Sequence, residues 1–249
     1  MKKRLLTGAE ILCESLLDNG CTVMFGIPGG AVLPFYDALP KYPIHHVLVR
    51  HEQAGGFAAG GYARVAKRPG VALGTSGPGA TNLLTAIVDA MMDSVPVVFL
   101  TGQVLSTVMG SDAFQETDIL GMTYTTVKHS YAVFDTEDIA PVVSEAFAIA
   151  SHGRPGPVLI DVTKDALQKA VSYERGVQLK AQKSPKIPPT NIEASIKTFE
   201  KLLDDPRVAR IVEDLPVQLH TNASIAQARG DFITNMTLKA IPLNGTGYS

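Results

Sequence analysis

A chain of 249 residues that is 45% hydrophobic and 18% charged has the apolar content of a folded protein with a sizeable core, which excludes disorder of the whole chain. Its formal net charge of −2, with no basic run, argues against nucleic acid as a partner. No stretch reaches the roughly 18 uninterrupted apolar residues of a membrane span, so a membrane partner is not expected either. Met1-Lys2-Lys3-Arg4-Leu5-Leu6 could open a signal peptide, but Glu10 and Glu14 interrupt any apolar region after it, and the expected location is the cytoplasm.

Thr7-Gly8-Ala9-Glu10 matches a capping box, and Ile11, Leu12, Leu16 and Leu17 recur at helical spacing to about Asn19-Gly20. Cys13 and Cys21 form no C-x-x-C pattern and read as reduced, buried thiols. Thr22 to Phe25 reads as a buried strand that runs into Gly26-Ile27-Pro28-Gly29-Gly30, followed by a helix from Ala31 to Leu39 despite Pro34. The pattern then alternates. Strands are expected at His46–Val49, Gly70–Gly74 and Pro96–Leu100, with helices at Glu52–Val65 and Ala80–Met92. After a looser stretch from Thr101 to Thr126, a strand near Val127–Val133, a helix from about Glu137 to Ser151 and a strand at Pro157–Val162 close the series. Roughly six continuous apolar strands alternating with helices predict an α/β fold with a doubly wound parallel sheet. The expected domain covers residues 1–168, a Pro-rich linker 169–190, and a fragment of a second domain or an unstructured tail 191–249.

Glu52 is the leading candidate residue. It stands where the strand Val47-Leu48-Val49 meets the Gly/Ala-rich helix, and open α/β sheets build their sites at strand C-terminal ends beside helix N-termini. A carboxylate there is poised to accept or share a proton. Taken alone, it also fits a capping role without chemistry. The loops Gly26–Gly30 and Gly74-Thr75-Ser76-Gly77-Pro78-Gly79 each follow a strand and precede a helix, on the same predicted edge as Glu52. The second loop could bind a dinucleotide phosphate, but the next strand ends at Thr101-Gly102-Gln103 without an acid for a ribose, which disfavours a nicotinamide cofactor. Each loop alone is also an ordinary tight turn.

Six segments together carry a resemblance: Thr7–Glu10, Phe25–Ala31, Arg50–Gln53, Thr75–Asn82, Asp112-Ala113-Phe114-Gln115-Glu116 and Gly153-Arg154-Pro155-Gly156-Pro157. In order and spacing, from about Thr7 to Asp165, they resemble the N-terminal, pyrimidine-binding domain of acetohydroxyacid synthase, the thiamine-diphosphate enzyme also called acetolactate synthase. The resemblance implies condensation of pyruvate with a second 2-keto acid in branched-chain amino-acid biosynthesis. It implies that Glu52 hydrogen-bonds the cofactor's pyrimidine ring and shares a proton with it. It further implies that Gln115 helps organise the reacting molecules beside the apolar wall of Phe114, and that Gly29, Gly30 and Ala31 line the cofactor. By the same resemblance Arg154 contacts FAD and Lys164 lines the substrate channel, although Thr163 stands where the family usually has Pro. Ile27 replaces a frequent Tyr.

The family holds the diphosphate through magnesium in a C-terminal domain with a Gly-Asp-Gly segment and a later Asn. Here Gly230-Asp231 runs into Phe232 and Asn235 follows closely, so no metal site is expected, and the chain resembles an interrupted synthase that is inactive without the missing domain. A homo-oligomer and a regulatory subunit are the implied partners. Two alternatives stand beside this one: another thiamine-diphosphate decarboxylase or oxidase, and a non-catalytic assembly module.

Overall fold

A computed structural model describes residues 3–175, which lie within the first of the two units into which the chain divides, Met1–Lys186 and Ile187–Ser249. In chain order the elements are β1 (Arg4–Thr7), α1 (Gly8–Asp18), β2 (Val23–Gly26), α2 (Leu33–Ala38), β3 (His45–Leu48), α3 (Glu52–Ala66), β4 (Gly70–Gly74) and α4 (Pro78–Thr81). They continue with α5 (Leu84–Met92), β5 (Val97–Gln103), α6 (Ile119–Thr123), β6 (His129–Val133), α7 (Ile139–Ser151), β7 (Pro157–Thr163), α8 (Lys164–Gln168) and β8 (Ala170–Tyr173).

The central sheet has six strands in the order β3-β2-β4-β5-β7-β6, every pair parallel. Alternation along the strands sends side chains to two separate cores. Val71, Leu73, Val98, Leu100, Val158 and Ile160 face α1, α2 and α7, meeting Leu12, Leu16, Phe35 and Phe147. Ala72, Val97, Phe99 and Leu159 face the other way, against Ala59 and Ala63 of α3 and Ile87 of α5. Helices therefore cover both faces, as the sequence pattern predicts. The capping box also forms: the Thr7 side chain accepts from Glu10 N–H while the Glu10 carboxylate accepts from Thr7 N–H. Cys13 and Cys21 are free and buried, and burial pushes the Cys21 thiol up to about 12.

Three expectations need correction. Arg4–Thr7 is a strand, paired antiparallel with Ala170–Tyr173, so the linker expected at 169–190 does not begin at 169. The rest of that span from 176, and the fragment expected at 191–249, lie outside the described residues. The helix expected at Ala80–Met92 is two helices, because the ladder tightens where Leu83 N–H bonds Ala80 C=O, three residues back. The strand expected to stop at Leu100 runs on to Gln103, which brings Thr101 and Gln103 into the sheet.

Candidate functional site

The strand order reverses around β2. The chain moves from β2 outward to β3, then returns to the opposite side of β2 as β4. At such a switch point the loops leaving neighbouring strands diverge and open a crevice at the carboxyl edge. Here that crevice is flanked by the loop after β2, which carries Gly29, Gly30 and Ala31, and the loop after β4, Thr75 to Gly77, with the first turn of α4 that follows it.

Glu52 is the first residue of α3 and is buried at 9% exposure. The helix starts cleanly because His51 caps it, Nδ1 accepting from Gln53 N–H at 3.2 Å. Asn82 Nδ2 donates to Glu52 Oε2 at 2.9 Å. The other oxygen borders a backbone wall: a β-carbon on Gly79 would lie 3.2 Å from Glu52 Oε1 and 2.7 Å from Thr75 Cγ2. On the opposite wall, a β-carbon on Gly29 would lie 2.4 Å from Thr75 Cγ2. Thr75 is thus the post between the two loops, and its Oγ1 accepts from Ala31 N–H at 3.2 Å. Gly30 differs, since a β-carbon there would meet nothing within 4 Å and would project into open space.

Gln115 reaches this group from the loop after β5. Gly77 has φ +59°, and a β-carbon on it would lie within 2.9 Å of Gln115 O, Cα and Cβ, so the two backbones are stacked in direct contact. Phe114, expected as an apolar wall, is 89% exposed. Lys164 opens α8 at the end of β7, two strands along the edge from β4. Tyr36 of α2 has its hydroxyl 3.0 Å from His46 Nε2. Burial, and then the Glu52 charge, push its phenol above the usual range.

Arg154 is not part of this cluster. It precedes β7 and so lies at the opposite, amino edge of the sheet, where Nε donates to Ser94 Oγ at 2.7 Å and Nη2 to the carbonyls of Met91 and Met92 at 3.0 and 3.2 Å. Those bonds cap the C-terminus of α5. Among the described residues no group of acidic, His and Cys side chains has the arrangement of a metal site. Gly230, Asp231 and Asn235 lie outside them. Thr75 and Asn82 also join the crevice, through Ala31 and Glu52, with no local sequence signal of their own. Both sit in the glycine-loop motif, and Asn82 was hidden inside what reads as one continuous helix.

The donor set fits a flat nitrogen heterocycle. It offers a buried carboxylate with one oxygen held by Asn82 and the other beside the Gly79 backbone, with open space at Gly30, while Thr75 fills the β-positions of Gly29 and Gly79. A six-stranded parallel sheet with a crevice at its switch point is a doubly wound α/β domain of the class that binds ligands at that edge. The profile of the thiamine pyrophosphate enzyme N-terminal TPP-binding domain matches residues 6–122. An acetolactate synthase large subunit of Parasynechococcus marenigrum (strain WH8102) is 54% identical over 172 residues, 68% of this chain and 28% of that protein. An acetolactate synthase of Mycobacterium bovis is 57% identical over 169 residues, 68% of this chain and 27% of that protein. One from Mycobacterium leprae is 50% identical over 205 residues, 81% of this chain and 32% of that protein. The chain carries the N-terminal thiamine-pyrophosphate-binding domain of the acetolactate synthase large-subunit type. It spans about 30% of the length of these curated relatives.

Proposed function

We propose that this domain supplies the proton-sharing half of an acetolactate synthase site, in which pyruvate is condensed with a second 2-keto acid. One observation carries the reading: the Glu52 carboxylate is buried at the switch-point crevice, with Oε2 held by Asn82 and Oε1 beside the backbone of Gly79. Glu52 would hold the aminopyrimidine and exchange a proton with its ring nitrogen, a task that needs a carboxylate of fixed orientation. Asn82 fixes that orientation. Gly29, Gly30 and Ala31 would line the ring, and Gln115 would donate to or accept from the keto acid. When bound, thiamine diphosphate supplies the electron sink that lets a keto acid lose carbon dioxide.

The site is half of what the reaction needs, so the diphosphate and its magnesium would be held by a complementary domain, and the working unit would be a homo-oligomer with a regulatory subunit as a further partner. FAD at Arg154 would have to compete with α5, because two of that guanidinium's nitrogens already cap the helix. Lys164 and Phe114 remain candidates for the substrate channel on position alone.

The test is complementation. Supplied with a diphosphate-binding domain, thiamine diphosphate and magnesium, the chain should form acetolactate from pyruvate. Glu52→Gln keeps the size and a hydrogen-bonding carbonyl but cannot share the proton, and should slow hydrogen–deuterium exchange at the cofactor's C2 by on the order of 10²–10⁴-fold. Exchange unchanged by Glu52→Gln in an active complex would sink the assignment.

A further inference from the structure

Where β5 and β7 end, a second polar group is sealed from water beside the crevice. Thr101, Gln103 and Asp161 are 2%, 3% and 3% exposed. None of the ion pairs among the described residues involves Asp161. A buried carboxylate without a cation is costly, and an apolar residue would fill the same space more cheaply, so packing does not account for it. Its hydrogen bonds suggest what does. Thr101 Oγ1 donates to Asp161 Oδ1 at 2.6 Å, and Gln103 Nε2 donates to Asp161 Oδ2 at 3.0 Å. The same Nε2 donates to Thr117 C=O at 3.0 Å, while Oε1 accepts from Val104 N–H at 2.8 Å. With its amide reversed, Gln103 would set its carbonyl against a carboxylate and a second carbonyl. The carboxylate therefore dictates which way the amide faces.

Thr117 ends the segment that carries Gln115. That segment has two non-glycine residues in left-handed backbone, Asp112 at φ +57° and Gln115 at φ +60°. Such conformations are disfavoured locally and persist where surrounding contacts hold them. Inside the loop, Ala113 N–H donates to Glu116 Oε2 at 2.9 Å and Glu116 N–H to Ala113 C=O at 2.9 Å, which shapes the turn without tying it to the sheet. Gln103 provides a tie from the sheet to the loop's end.

We propose that Gln103, oriented by Asp161 and Thr101, is a positioning residue that fixes the 110–118 loop and thereby holds Gln115 over Gly77. That Gln115 meets the reacting molecules rests on the proposed function; that Gln103 fixes its loop does not.

The full chain tests this by amide hydrogen exchange at Ala113, Glu116 and Ile119, whose N–H groups are bonded within the loop, with Val98 to Leu100 of β5 as the internal standard. Gln103→Met keeps the length and removes both donations. Loop exchange should rise about tenfold, the size expected for one buried hydrogen bond, with β5 unmoved. Should Gln103→Met not fold, the double variant Gln103→Glu/Asp161→Asn decides. There the amide introduced on β7 can donate to the carboxylate introduced on β5, so the strand-to-strand bond returns, but Thr117 C=O still lacks its side-chain donor. Faster loop exchange in that variant supports the proposal, and loop exchange at the wild-type rate in a folded variant overturns it. A complex without synthase activity would leave this outcome unaffected.

Discussion

Glu52 and Asp161 are both acidic side chains shielded from water at the carboxyl edge of one sheet, yet they are held in opposite ways. Glu52 begins a helix, takes one side-chain hydrogen bond from Asn82, and has its second oxygen beside the backbone of Gly79 at the crevice. Asp161 lies inside β7, and each of its oxygens is held by a buried donor from β5. The difference separates a group whose bonding capacity faces a crevice from one whose capacity is used up in building the crevice's frame. The first keeps an oxygen free of side-chain donors, as its proposed role requires, and the second is committed to orienting its neighbours.

The largest effect that would sharpen this contrast is a pH dependence confined to the frame. Burial pushes Asp161 from 3.8 to about 6, opposed by the Thr101 and Gln103 hydrogen bonds and assisted by the charge of Asp118. The folded pKa is raised above the unfolded one, so the folded state takes up the proton first as pH falls. Above about pH 6 the buried charge costs its full amount, which for this shift is about 3 kcal/mol, and that cost is relieved between pH 6 and 3.8. Asp161→Asn carries no such charge. Denaturant unfolding should show the stability of Asp161→Asn relative to wild type rising between pH 4 and pH 7. A pH-independent difference would show that Asp161 is not a strained carboxylate and would break the comparison.

Next in size is a steric test of the crevice wall. In Gly29→Ala the new methyl group would meet three atoms of Thr75, at 2.4, 2.5 and 2.8 Å, and Thr75 is itself buried. The overpacking should cost about 1–3 kcal/mol in thermal or chemical unfolding. Gly30→Ala, whose methyl group projects into open space, should leave stability nearly unchanged. Equal losses in the two would mean that the walls are not shaped as described.

The crevice was largely legible in the sequence and the frame was not, for physical reasons. A carboxylate at a strand-to-helix junction and two glycine loops are local patterns, and their meeting point follows from the parallel winding. Asp161, by contrast, sits in Val158-Leu159-Ile160-Asp161-Val162, where one acid at a strand's end carries no sign that its partners lie on another strand. Thr101 and Gln103 read as the start of a loop because β5 changes from apolar to polar there while remaining paired with β7 as far as Gln103↔Thr163. The β1–β8 pair is four residues long on each side and joins the two ends of the described chain, so no local periodicity announces it. Arg154 shows the converse. Its motif was legible, but its helix-capping geometry depends on Ser94 and on carbonyls of a distant segment.

Arg154 gives a smaller effect, at the other edge of the sheet. Arg154→Ala removes the capping bonds to Ser94, Met91 and Met92 and should lower stability by roughly 1 kcal/mol. Hydrogen exchange at the end of α5 should speed up while the amides of the 110–118 loop stay as they are. A change in that loop would mean that the two edges are coupled, and the contrast between crevice and frame would then be too local.

The smallest effect on the isolated chain is expected at Phe114. Its side chain is 89% exposed, although Gln115 beside it is held against Gly77 and the loop is tied to β5 through Thr117. A large aromatic ring kept in water by an anchored loop contributes almost nothing to folding, so Phe114→Ser should change stability by no more than about 0.5 kcal/mol. If the ring is covered when a complementary domain closes over the crevice, its burial is worth about 1.5–3 kcal/mol. The same substitution should then weaken assembly, or raise the KM for the keto acid, by about tenfold or more. Calorimetric titration of the full chain with the complementary domain, run beside denaturant melts, separates the two contributions. Loss of stability in the free chain would show that Phe114 already packs within this domain. Unchanged assembly and KM would remove Phe114 from the proposed substrate wall.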